Sequence, residues 1–83
     1  MLTRAQRIDL VHNVVARLVC NFSDPENRGP NWELASLSRL IVSTIKDQAF
    51  VHGIPDRHHP QMIEDGLKFY ERHLEPVMRR LVG

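Results

Sequence analysis

Apolar residues recur along this chain at helical spacing in three places. In the last third, Ile63, Leu67, Tyr70, Leu74, Val77 and Leu81 follow one another at steps of 4, 3, 4, 3 and 4. That spacing puts six side chains on one face of an α-helix, and such a face is stable only when buried. The predicted segment starts near Asp56 or Pro60 and runs to about Leu81. Pro60 suits a first helical turn, where its missing N–H goes unneeded. Pro76 would remove a hydrogen bond and press on the carbonyl of Arg72. The stripe nevertheless keeps its phase across Pro76, which predicts a kinked continuation and not a reversal. Gly66, beside Leu67, weakens the helix by about 1 kcal/mol relative to Ala. Close approach of another backbone would justify it.

A second stripe lies between about Thr3 and Cys20. Ile8, Val11, Val15, Leu18 and Phe22 step by 3 and 4, and Val14 and Val19 widen the face. Thr3 reads as an N-cap, and Gln6 three residues later completes a capping box. Gln6, Asp9, Asn13 and Arg17 take the opposite face, while Leu10 falls outside the main arc. Apolar groups spread this widely suit a helix with two neighbours.

The third stripe, from about Asn31 to Phe50, carries Leu34, Leu37, Ile41, Thr44 and Ile45, flanked by Leu40. Asn31 can cap it, with Glu33 well placed in the first turn. Trp32 falls off the inner face, either packing over the preceding loop or serving as a partner-facing anchor. Between the helices, Asn21–Pro30 is rich in turn formers, and Val51–His59 carries Gly53, Pro55 and the pair His58-His59. These segments predict an all-α fold, a small three-helix bundle occupying residues 1–83 as one domain.

Length constrains that bundle. A chain of 83 residues buries only roughly 60–65 % of its unfolded surface, and small cores often gain stability by association. The third stripe outlasts its partners, so we expect a two-fold dimer through Ile63, Leu67, Tyr70, Leu74, Val77 and Leu81. A single cysteine, Cys20, allows neither an internal disulfide nor a multi-Cys zinc site and fits a reducing compartment. The charged stretch at Arg4, Arg7 and Asp9 is unlike a signal peptide, and no apolar run approaches bilayer length. A cytoplasmic location without membrane association is the expectation.

Chemistry adds little. His52, His58 and His59 share one loop, but their spacing matches no zinc motif, and adjacent histidines on a helix diverge by about 100°. A solvated loop, a pH-responsive contact and a metal-dependent module all remain readings of it. Cys20 lies at a helix C-terminus, the wrong end of the dipole for a reactive thiolate. Ser36, Ser38 and Ser43 lack a glycine-flanked elbow. The acid pairs Glu64-Asp65 and Glu71-Glu75 fall off the stripe, and the four glycines are scattered. The chain is therefore expected to be no enzyme and to need no metal or cofactor.

Charge is nearly balanced, with 11 basic and 10 acidic residues, nine of the basic ones Arg. A nucleic-acid coat would carry a basic excess, and guanidinium groups also suit protein contacts. The sequence thus points to a helical interaction protein that inhibits or adapts a larger protein partner. Trp32, Phe50, Arg57, His58 and His59 are its candidate contacts. The alternative is a dimeric nucleic-acid-binding regulator using Arg4, Arg7, Arg17, Arg79 and Arg80.

Overall fold

A computed structural model describes residues 2–27 and 33–82. Helix α1 spans Arg4–Ser23 and α2 spans Leu34–Val51. A 3-10 turn at Asp56–His58 leads into α3, His59–Phe69. A π-helical turn at Tyr70–Leu74 joins α3 without a break to α4, Glu75–Val82. The result is a three-helix bundle in which α3, the π turn and α4 form one long third helix.

Local chemistry sets the first ends. The Thr3 hydroxyl accepts from the Gln6 N–H at 3.2 Å, and Gln6 Oε1 accepts from the Thr3 N–H at 2.8 Å. The capping box read from the sequence is therefore present. Helix α1 runs on past Cys20, so Phe22 lies within it, packed against the core. Asp24 ends it through a turn whose carboxylate accepts from the Glu26 N–H at 3.0 Å. Helix α2 begins at Leu34 with Glu33 as its cap and no side-chain bond there. Asn31 and Trp32 lie outside the described residues.

The core gathers Val11, Val14, Val15 and Val19 from α1, Leu37, Ile41, Ile45 and Ala49 from α2, and Met62, Tyr70 and Met78 from the third helix. Arg4 meets Asp65 and His12 meets Phe69, so α1 and α3 run parallel. Helix α2 runs against them, placing Ile45 beside Gly66 and Leu34 beside Arg79. A β-carbon on Gly66 would fall 3.0 Å from Val11 Cγ1 and closer still to Ile45 Cδ1. Glycine is what leaves room there for the Ile45 and Val11 side chains.

The third helix departs from the expected phase. Its buried positions are Met62, Gly66, Tyr70 and Met78, with Ile63, Leu67 and Leu74 at their margins. Val77 and Leu81, expected on the same buried face, are exposed. The cause is the π turn. The Glu75 N–H bonds to the Tyr70 carbonyl, five residues back, and the extra residue in that turn rotates Met78 inward in place of Val77. Pro76 follows directly, where it has no N–H to offer Arg72.

Candidate interaction surface

The end of α2 is built around a left-handed glycine. Gly53 has φ +65°, a conformation that costs other residues a Cβ clash. The Gly53 N–H donates to the Phe50 carbonyl at 3.0 Å, and the Ile54 N–H donates to the Ala49 carbonyl at 2.9 Å. These two bonds make a Schellman motif. Ile54 folds back into the core, leaving the last helical turn to face outward. Phe50 is 82 % and Val51 71 % exposed. Both side chains lie in a turn whose backbone is fixed on each side.

The connection beyond carries the other predicted contacts. Arg57 is exposed on the 3-10 turn, and His58 is half-buried. Desolvation, then the positive charges of Arg7, Arg57, His59 and Arg4, holds the His58 imidazole below its ordinary value. The start of α1 therefore borders this end of the bundle. His59 has a different part, because its Nε2 donates to the Ile54 carbonyl at 2.8 Å and its Nδ1 lies 3.7 Å from Asp56. It braces the loop and has little left for a partner. His52 is exposed. Among the described residues, no three His, Cys, Asp or Glu side chains converge as metal ligands.

The heptad stripe is mostly spent within one chain. Tyr70 is 1 % exposed, and Ile63, Leu67 and Leu74 pack on the same core. Val77, 48 % exposed, and Leu81, 60 %, are the members left facing outward. Leu40, placed beside the inner face of α2, is also partly exposed.

The five candidate nucleic-acid arginines are dispersed. Arg4 lies 3.6 Å from Asp65, and Arg7 donates to the Leu2 carbonyl at 3.0 Å. Arg17 borders the α1–α2 side, in a cleft with Leu10, Thr44 and Gln48. Arg79 pairs with Glu75 on the α2–α4 side, while Arg80 is exposed farther along α4. Parallel α1 and α4 put Arg4 and Arg80 at opposite ends of a molecule 40 Å long.

Two arrangements carry no sequence signal of their own. His12 stacks on Phe69 with ring centroids 4.1 Å apart at 16°, and His73 tilts on Phe69 at 5.5 Å. They line an open groove with Ile8, Asp65, Lys68 and Arg72. The second is a cleft of about 230 Å³ between α2 and α4, lined by Leu34, Ala35, Ser38, Tyr70, Glu75 and Arg79. Only the pairing of two distant helices assembles either one. Cys20 is exposed, and Lys68 holds Glu64 at 2.7 Å.

No family model matches this chain, and no curated protein or solved structure is significantly similar to it. Among the described residues, no helix is long and apolar enough to cross a membrane.

Proposed function

We propose that this chain is a small non-enzymatic interaction protein that binds and modulates a larger protein partner. The observation carrying this reading is the pair Phe50 and Val51, exposed at 82 % and 71 % on a rigid helix end. Fully burying an apolar side chain of this size contributes about 1.5–3 kcal/mol. A cap that is already ordered keeps the entropy cost of docking low. Arg57 on the following turn supplies a residue type enriched among binding hot spots.

Self-association is proposed alongside, through Val77 and Leu81 on α4. The nucleic-acid alternative needs cations that converge on phosphates, and the separation of Arg4 and Arg7 from Arg79 and Arg80 weakens it. Substituting Phe50→Ser and, separately, Arg57→Ala tests the reading. Each should weaken partner binding while far-ultraviolet circular dichroism stays unchanged. Normal binding by both variants would place the contact surface elsewhere.

A further inference from the structure

The clefts between helices differ in how their polar groups are used. In the α1–α3 groove, Asp65 pairs with Arg4 and accepts from Gln61 at 2.9 Å, and Lys68 holds Glu64. In the α2–α4 cleft, Glu75 holds Arg79. The α1–α2 cleft is different. Its polar side chains, Asn13, Arg17, Thr44, Gln48 and His52, have no partner among the described residues. Its apolar floor is Leu10, Val14 and Leu18, one turn apart along α1.

The α2 wall continues past the cleft at both ends. Leu40, Thr44, Gln48 and Val51 fall within about 80° of one another around the helix axis. Leu40 is 37 % and Val51 71 % exposed. From Leu40 to Val51 the stripe is about 16 Å long at the α-helical rise, roughly three turns. An apolar floor between polar rims, framed by two antiparallel helices, accepts an amphipathic helix.

Charge narrows the occupant further. Arg17 is the one formally charged side chain lining this cleft, no carboxylate lines it, and Arg17 is exposed. An incoming helix with an acidic flank complements it. The chain's own exposed apolar helix face has the wrong sign. Val77 and Leu81 share the short α4 with Arg79 and Arg80, so a second copy would bring cations to Arg17.

We propose that the α1–α2 cleft docks an amphipathic helix of a partner protein, its apolar face on Leu10, Leu18 and Thr44 and an acidic residue against Arg17. Val51 belongs both to this stripe and to the exposed α2 end, so the cleft extends the partner contact described above and rests on that reading.

The probe is a synthetic helical peptide of about four turns, with leucines on one face and glutamates flanking them. A twin peptide carries lysine at each glutamate position. Each is titrated into the isotope-labelled whole chain and followed by nuclear magnetic resonance. Saturable shifts at Leu10, Leu18, Thr44 and Gln48 are expected with the glutamate peptide. It should bind roughly threefold or more tighter than its twin, the scale of one surface ion pair. Arg17→Glu should fold like the wild type and reverse that preference. No saturable shifts in the cleft, or a preference that Arg17→Glu leaves unchanged, would overturn the proposal. So would cleft shifts that appear when the chain alone is concentrated, which would assign the cleft to a second copy. Capture from host lysate separates this failure from failure of the interaction reading. A protein lost by Phe50→Ser but retained by Arg17→Glu/Gln48→Glu would keep the interaction and remove the cleft; loss by both variants is expected.

Discussion

The tip of the Ile45 side chain packs directly on Gly66, so that a β-carbon on Gly66 would collide with Ile45 Cδ1. Substituting Gly66→Ala therefore sets two effects against each other. Helix propensity gains about 1 kcal/mol, and overpacking a filled core loses about 1–3 kcal/mol. Because Ile45 is buried and Val11 Cγ1 stands 3.0 Å away, overpacking should win, with a net loss of up to about 2 kcal/mol. Urea denaturation measures it. An Ile45→Val background, which removes the colliding atom, should make Gly66→Ala neutral or stabilising. A higher midpoint for Gly66→Ala alone would contradict this packing.

Much of the fold is legible in the sequence because its causes are local. The Thr3–Gln6 box depends on residues three apart, and Gly66 is conspicuous as a glycine beside an apolar stripe. The valines of α1 and the Leu37–Ile41–Ile45 ridge follow from spacing alone. The end of the third helix does not. A proline at 76 signals trouble with the Arg72 carbonyl, but whether the helix kinks or widens depends on how Tyr70 and Met78 pack against α1 and α2. The π turn shifts the face by one residue, so Met78 replaces Val77 in the core. Phe50 is legible as an exposed anchor, since it falls off the inner phase of α2. The Tyr70 cleft is not, because Ser38 and Glu75 come to line it only once α2 and α4 are side by side.

Gly53 provides a test of the α2 end. At φ +65° with nothing within 4 Å of a would-be Cβ, any cost of Gly53→Ala is backbone strain alone. The expected loss is about 1–2 kcal/mol, with Gly53→Asn milder because Asn tolerates this conformation. Thermal melts followed by circular dichroism should show midpoints in the order Gly, Asn, Ala. Equal midpoints would mean the Schellman turn contributes nothing.

Acid should weaken the bundle through His58. Desolvation and the neighbouring Arg7 and Arg57 lower its affinity for a proton in the folded chain relative to the unfolded one. The unfolded chain then binds more protons as pH falls through the ordinary histidine value of 6.5. Stability present above that pH is lost below it. Denaturation midpoints between neutral and mildly acidic pH should fall less for His58→Gln than for the wild type. Identical pH profiles would show that the imidazole feels no such field.

Sedimentation equilibrium addresses self-association. With Tyr70 inside the chain's own core, the two-fold contact we propose uses the stripe's exposed members, Val77 and Leu81. The wild type should be dimeric at micromolar concentration, and Leu81→Lys should be monomeric with its helicity intact. A strictly monomeric wild type with cooperative unfolding would end the dimer proposal.

The protein-binding surface we propose is formed by Phe50 and Val51. Its most direct measurement is capture from nuclease-treated lysate of the native host, comparing the immobilised wild type with a Phe50→Ser/Val51→Ser variant. Both side chains are exposed, so the variant should melt like the wild type. A stoichiometric protein should be retained by the wild type and lost by the variant. Equal retention by both, or recovery of nucleic acid alone when nuclease is omitted, would contradict it.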